Sequence, residues 1–382
     1  MVPRRVRQAP RHPSHSRGDA MTSSIRMVAV ELTLEDLERE ARAEGLCLPI
    51  EQTAAWARYE ATVDGRSPWG AFRILCDGDP VAYVGLIDYQ THGYHYLRAS
   101  HGPVWLRNPS PEEERAALDA IRSVVRKRGE GQVFVRCCVD ADLGCCEHAL
   151  SIVPYDTTVV IDVTGGEEQI LARMKGRGRR DVRKALREAP ITCADETELA
   201  ARSFSEYYDV LCETGARDGF RPAPASDYED MLRILGPEHC RLYAGRDAAG
   251  RVVTWSLATV SGSRATRYYA ASATATMRRH VTDKLLYFEC CELGRFRGGS
   301  VTSYDLMAIG SSLCPSLLGL NEFKTKFARE VTHVAPDRDY PIRKAFYRSL
   351  VVARKAVVRL RDLRRARPAS RLEVARPAVA HS

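Results

Sequence analysis

Residues 71–76 and 81–89 are strand-length, largely apolar segments, broken by single polar positions at Arg73 and Asp88. Asp77-Gly78-Asp79-Pro80 between them carries turn residues, so the two segments are predicted to pair as antiparallel strands. A third strand is predicted near Tyr94–Arg98. Ahead of these, Thr33-Leu34-Glu35-Asp36 opens an acidic helix that stops near Gly45. Behind them, Ser110-Pro111-Glu112-Glu113 has capping-box spacing with proline at the first helical position. That helix should run to about Gly129 and lead into a strand at Val133–Cys137. The order is helix, antiparallel strands, helix, strand.

The pattern then recurs. Thr157–Val163 reads as a strand, and helices follow at about 167–188, 197–213 and 226–235. The last opens on a second capping-box spacing, Ser226-Asp227-Tyr228-Glu229. Strands are expected at 240–245, 251–260 and 264–271, with Ala248-Ala249-Gly250 as a hairpin turn. A helix at 281–297 and a strand at Val301–Leu306 complete the second unit. The fold class is therefore α+β in two units, with the boundary near Val153–Asp156. Residues 343–367 have helical periodicity, and Phe346, Leu350, Val357 and Leu360 share the face expected to pack.

Composition agrees with two globular units. The chain has 382 residues, 45% hydrophobic and 28% charged, which excludes disorder, collagen and coiled coil as overall readings. The longest apolar runs, 81–87 and 350–353, fall far short of a membrane span. Of the twelve cysteines, Cys137/Cys138, Cys145/Cys146 and Cys290/Cys291 are adjacent pairs, poor geometry for disulfides. With no apolar segment after the arginine-rich start, the chain is expected in the reducing cytosol. Cys145-Cys146-Glu147-His148 lacks the paired spacing of a zinc site, so no metal is expected. The expected division is a basic tail or upstream sequence at 1–26, domains at 27–153 and 154–326, a C-terminal segment at 327–367, and a tail at 368–382.

Charge adds a partner. The net charge is +8, and it is clustered. Arg173, Lys175, Arg177, Arg179, Arg180, Arg183, Lys184 and Arg187 face a single acid, Asp181. So many cations on one helix repel one another, and binding phosphates with release of their counterions offsets this. Arg179, Arg180, Arg183 and Lys184 are the expected RNA contacts; the plain alternative is a solvated helix face. The basic 343–367 helix suits either RNA or an anionic membrane at the inner face of the envelope.

The usual catalytic signatures are missing. There is no G-x-S-x-G elbow, no catalytic cysteine signature, no P-loop and no G-x-G-x-x-G. An acyl-CoA site should show a glycine-rich turn opening a helix, whereas Thr276–Val281 contains no glycine. Acyl-CoA is therefore not the expected donor. His101-Gly102-Pro103 reads as a turn, Tyr304-Asp305 ends a strand, and Phe323 and Phe327 are spaced to share a helix face beside Lys324.

In order along the chain, these pieces resemble the Fem family of peptidyl (aminoacyl) transferases, which add amino acids from aminoacyl-tRNA to the peptidoglycan stem peptide. Gln52-Thr53-Ala54-Ala55-Trp56 is similar to the family's Q-S-x-x-W, and His101-Gly102-Pro103-Val104 to its R-G-P-V. Thr158–Asp162 and the basic helix after it resemble the start of its second domain. Thr214-Gly215-Ala216-Arg217-Asp218-Gly219-Phe220 resembles T-x-x-R-x-G-F, and Tyr304-Asp305 with Phe323-Lys324-Thr325-Lys326-Phe327 resembles Y-D … F-K-x-x-F.

The resemblance implies two tandem GNAT-like domains, with the last helix returning to the first domain. Family members often carry a helical arm in the second domain, and this sequence leaves no room for a long one there. It implies Lys324 as the cation stabilising a tetrahedral oxyanion, held by Phe323, and Arg217 on the acceptor's diphosphate. Substrate contacts would also come from Gln52, Trp56, His101, Tyr304 and Asp305. No cofactor is implied, because the aminoacyl ester arrives activated. Partners would be aminoacyl-tRNA and a lipid- or nucleotide-linked peptidoglycan precursor. The chain departs from the pattern at Glu60, where the family often has lysine, and at His101, where it has arginine. The acceptor pocket should differ accordingly, with Arg58 or Arg66 as candidate substitutes. Transfer onto the amine of a secondary metabolite, and a non-catalytic RNA- or membrane-binding protein, are the competing functions.

Overall fold

The computed structural model describes residues 25–366, so the two tails expected from the sequence lie almost wholly outside the described residues. The first unit runs β1 (Met27–Leu32), α1 (Leu34–Ala43), α2 (Ala54–Glu60), β2 (Arg66–Cys76), β3 (Asp79–Thr91), β4 (Tyr94–Ala99), β5 (Val104–Trp105), α3 (Pro111–Arg128), β6 (Phe134–Cys138) and β7 (Glu147–His148). The second runs β8 (Thr157–Asp162), α4 (Glu167–Arg173), α5 (Gly176–Glu188), β9 (Thr192–Asp195), α6 (Thr197–Arg202), α7 (Ser205–Asp218), α8 (Ala225–His239), β10 (Cys240–Arg246), β11 (Val252–Ser261), β12 (Arg264–Ser272), α9 (Val281–Arg295), β13 (Ser303–Ala308), α10 (Asn321–Lys324) and β14 (Thr332–His333). β15 (Asp337–Pro341) and α11 (Lys344–Ala366) close the chain.

The duplication read from the sequence is present, and the class is α+β. In the first sheet β2, β3 and β4 form an antiparallel meander, and β6 joins β4 in parallel after α3. In the second, β10, β11 and β12 form the meander, and β13 joins β12 in parallel after α9. A parallel neighbour requires a crossover, and each unit supplies one helix for it. α3 forms as its caps dictate. Ser110 and Glu113 make both bonds of the capping box, at 3.2 and 2.8 Å, and Ala117, Leu118, Ile121 and Val125 line the buried face.

Several boundaries differ from the sequence reading. β1 was not anticipated; it pairs with β2 along the first sheet's edge. The 167–188 segment breaks at Met174-Lys175, and 197–213 breaks at Ser203-Phe204. The second capping box does not form. α8 starts at Ala225, and the Glu229 carboxylate instead accepts from the Phe204 backbone N–H at 2.9 Å. β13 lies two residues later than expected. All twelve cysteines are unpaired.

The units are joined by apolar packing. Ile50, Ala55, Trp56 and Tyr59 of the first share one buried cluster with Phe204, Tyr207, Tyr228 and Trp255 of the second. The chain also ties them covalently. β14 pairs with β8 in the second sheet, residues 334–336 cross, and β15 pairs with β6 in the first. β15 is held by a buried, bidentate ion pair, Arg136 Nε to Asp339 Oδ1 at 2.6 Å and Nη2 to Oδ2 at 3.0 Å. Leu150 N–H (2.8 Å) and Tyr347 O–H (3.0 Å) also donate to Asp339 Oδ2. Tyr347 thereby anchors α11 on the first unit, with Leu350 and Val351 beside it. Of the face expected to pack, Leu350 does so, whereas Phe346, Val357 and Leu360 are exposed.

Asp339→Ala should cost about 3–5 kcal/mol in urea denaturation, since it strands a buried guanidinium. Arg136→Met combined with Asp339→Leu should lose clearly less. Equal losses would show that the charge itself is not what holds β15.

Candidate active site

The units face each other across a cleft with two compartments. The larger, about 780 Å³, is lined by Leu48, Trp105, Arg107, Arg264, Asp305 and His333 among others. The smaller, about 210 Å³, is lined by Trp56, Tyr59, Tyr268 and Tyr269 with Glu60, Arg66, Arg98 and Asp337. Both are bordered by Glu51, His101, Cys138, Tyr155, Val334 and Ala335, so these residues mark the junction.

At the junction stands a carboxylate–imidazole–phenol chain. Glu51 Oε2 lies 3.2 Å from His101 Nδ1, and His101 Nε2 lies 3.0 Å from the Tyr155 hydroxyl. Each residue comes from a connection rather than a regular element: the turn Ile50–Gln52 before α2, the turn after β4, and the link between the units. Gln52 fixes the geometry. Its side-chain amide donates to Ser100 O (2.8 Å) and accepts from Gly85 N–H (2.7 Å). A Cβ at Gly102 would sit 2.9 Å from the Gln52 amide carbon, so a side chain there would displace Gln52 from this position.

Burial opposes charge on both members of the pair, and their mutual attraction overcomes it. The Glu51 carboxyl ends below its ordinary value and the His101 imidazole above its own. The imidazole is thus biased toward the cation. Glu51 Oε1 is buried and accepts no hydrogen bond of ordinary geometry among the described residues, while the Tyr268 hydroxyl near the carboxyl helps to hold it down. Burial pushes the Tyr155 and Tyr268 phenols upward, so both remain donors. It also raises Cys138 far above a reactive thiol, which removes it as a nucleophile.

Most other charges in the cleft are matched. Glu60 accepts from Trp56 Nε1 (3.0 Å), Arg66 (3.0 Å) and Tyr89 O–H (3.1 Å). Arg66, a candidate replacement for the family lysine, is therefore committed to Glu60; Arg58 lines neither compartment. Asp305 accepts from Thr158, Arg264 and the Met307 N–H. Arg98 faces Asp337 at 3.4 Å. Among the described residues, no cluster of three or more His, Cys, Asp or Glu could hold a metal.

The structure distributes the sequence-derived site residues unevenly. His101, Trp56 and Asp305 line the compartments; Gln52 supports them from behind. Lys324 does not reach the cleft. Its ammonium donates to the carbonyls of Leu306 (2.7 Å), Met307 (3.3 Å) and Ala308 (2.8 Å), using all three protons. Burial and the nearby Arg267 cation lower it to about 8. The cation expected at an oxyanion instead clamps an irregular strand end, where Met307 adopts φ 59° and lines the smaller compartment.

Arg217 is likewise occupied: Nε and Nη2 bond Asp218 at 2.8 and 3.1 Å, and Nη1 bonds Ser272 O at 2.8 Å. It lines neither compartment. Tyr304 is in the core, donating to Glu289 at 2.6 Å. Phe323 packs on Phe327, with Lys326 close to both rings. Of the expected RNA contacts, Arg180, Arg183 and Lys184 are exposed. Arg179 is not free: its guanidinium caps α4 at Met174 O, 2.6 Å away. Sequence reasoning missed Glu51 and Tyr155. The signal available for Glu51 was a charged residue set directly after the apolar run Leu48-Pro49-Ile50 and ahead of a helix; Tyr155 carried none.

No protein-family model and no curated protein matches the sequence. Among solved structures, FemX superposes over 84% of this chain and 98% of its own, with a TM-score of 0.65 at 15% identity. The chain has the FemX fold. A tandem GNAT protein from the clavulanic acid biosynthesis pathway matches more weakly, at TM-score 0.49 and 11% identity over 83% of this chain and 99% of its own. L-PGS from Bacillus licheniformis gives 0.46 at 13% identity over 82% and 93%. On the FemX fold, as this chain builds it, the cleft walls are the connections at strand ends together with the 334–336 crossing.

In Glu51→Gln, NMR should show the His101 pKa falling from its raised value, because burial then opposes the cation with only the Asp337 and Arg264 charges, of opposite effect, acting beside it. The pair's contribution to stability should be complete between the ordinary carboxylate and ordinary histidine values. It should fade as pH rises through the raised His101 value, and also as pH falls through the lowered Glu51 value. An unchanged His101 titration would remove Glu51 as its partner.

Proposed function

We propose that this protein is an acyltransferase that moves an aminoacyl group from aminoacyl-tRNA to an amine, the acceptor being the stem peptide of a peptidoglycan precursor. One observation carries the reading: two compartments of unequal size meet at Glu51, His101 and Tyr155. Such a junction suits a reaction between two bound substrates. The smaller compartment has the size of one amino-acid residue, and the larger suits the acceptor. The shared fold with FemX and the ordered motifs support the choice of donor and acceptor class.

The chemistry follows from the groups present. An aminoacyl ester is already activated, so no covalent enzyme intermediate is needed. The acceptor amine donates a hydrogen bond to Glu51 Oε1 and attacks the ester carbonyl. The oxyanion forms against the Tyr155 hydroxyl, whose own oxygen accepts from the His101 imidazolium. A donor already in place stabilises charge that develops only in the transition state. Collapse breaks the ester C–O bond, and the proton released by the amine ends on the leaving ribose oxygen. Lys324 acts at one remove, by holding the carbonyls of 306–308.

Two further features agree. The first turn of α9, where acyl-CoA pyrophosphate would be sought, carries Asp283, buried and paired with Lys326. A carboxylate there opposes a phosphate. On α5, Arg180, Arg183 and Lys184 face solvent, and the helix is seated by Gly178, where a Cβ would lie 2.2 Å from Lys326 O.

Incubation with charged tRNAs and cell-wall precursors should add the mass of an aminoacyl residue to the precursor. Tyr155→Phe should lower kcat by roughly 10²–10³-fold with a smaller change in acceptor KM. Turnover near wild type in that variant would sink the assigned role. Reversing Arg180, Arg183 and Lys184 to Glu should weaken charged-tRNA binding and flatten its salt dependence by about one unit of slope per lost contact. Acceptor KM should hold. Wild-type tRNA affinity and slope would reduce α5 to a solvated face.

A further inference from the structure

The sides of α11 are sharply sorted. Tyr347 is buried, and Leu350 and Val351 pack beside it on the first unit. From the flank beside Leu350 round to Val352, the remaining surface is largely apolar and open. Val352, Val357 and Leu360 are 67%, 64% and 58% exposed, and Phe346, with one edge near Tyr94, is still 43% exposed. At helical spacing Ala345, Ala353 and Ala356 fill the gaps between them, and Ser349 is the polar exception. Along one border Lys344, Arg348, Lys355 and Arg359 form a second row. Residues 343–360 contain no acid. An amphipathic helix normally turns its apolar side to the core, and this one keeps a second apolar side for water.

Charge decides what covers that face. A second copy of α11 would double the cations along the seam and, with no acid between 343 and 360, bring none to offset them. RNA would neutralise the cations but leave the apolar row wet. A bilayer with anionic headgroups satisfies both: the apolar residues enter the interface while the Lys and Arg stems reach back to the phosphates. No helix among the described residues is long and apolar enough to cross a membrane, so the contact is lateral. We propose that α11 docks this protein on an anionic lipid surface, with Phe346, Val352, Val357 and Leu360 in the interface and the Lys344–Arg359 row on headgroup phosphates. The inference does not depend on the transferase reading.

The test is vesicle co-sedimentation of the full chain, with no tRNA or acceptor present. Vesicles of phosphatidylcholine with phosphatidylglycerol should bind the protein; phosphatidylcholine alone should bind it far less, and salt should weaken binding. Lys355→Glu with Arg359→Glu should reduce partitioning at least about tenfold. Val352→Asp with Val357→Asp should also abolish most binding, with circular dichroism and Tm unchanged, because both side chains are exposed. Absent binding, equal binding to both vesicles, or binding indifferent to the valine changes would overturn the proposal. So would a wild-type dimer that the valine changes dissociate. A loss of tRNA binding in the valine variant would assign the face to RNA instead and overturn it as well. Because the assay contains no reaction component, its failure would leave the transferase reading untouched.

Discussion

The ion pair between Arg136 and Asp339 holds the architecture of the site. It fixes β15 beside β6, although the preceding strand, β14, belongs to the other sheet. A chain pinned at both ends must cross the gap, and residues 334–336 do so, closing one wall of both compartments. A buried pair of this kind adds little stability over a well-packed apolar substitute. What it adds is placement. Both oxygens of Asp339 are engaged, and Arg136 also donates to Leu150 O at 2.6 Å, so the pair tolerates no other register.

The apolar cluster shared between the units sets the second constraint. Trp56 and Tyr59 pack against the same core as Trp255 and Phe204, so the cleft cannot change width without breaking close packing. The charges that face the cleft are then arranged in opposed pairs: Glu51 with His101, Glu60 with Arg66, Asp305 with Arg264, Asp337 with Arg98. The result is a polar but internally neutralised surface. Dipoles held rigidly in this way require little reorganisation when charge develops between them.

Local signals in the sequence carried much of the fold. Thr33 and Ser110 cap helices as their neighbours implied, and a turn at Asp77-Gly78, within the expected 77–80, joins β2 to β3. The duplicated order of meander, helix and strand was legible because periodicity and punctuation are local. The failures were tertiary. Glu229 had a capping-box position but found the Phe204 amide instead, and Phe346 lost its expected place to Tyr347, which reaches Asp339. The site was less legible than the fold. Lys324 and Arg217 sit in recognisable motifs, yet their protons are taken by backbone carbonyls and Asp218, which no spacing rule reveals. Glu51 and Tyr155 are brought to His101 only by folding, from about fifty residues away on either side in the chain.

The late position of β15 has a consequence for how the protein is made. On a translating ribosome the first unit's other strands and helices emerge well before Asp337. Until Asp337–Pro341 appears, after the whole second unit, β6 has β4 on one side and nothing on the other, and its Arg136 lacks the Asp339 carboxylate. An unfinished sheet edge beside a buried cation is a site for wrong pairing during synthesis. The nascent first unit must therefore wait, incomplete, while the whole second unit is synthesised, and the cleft comes into existence only at the end.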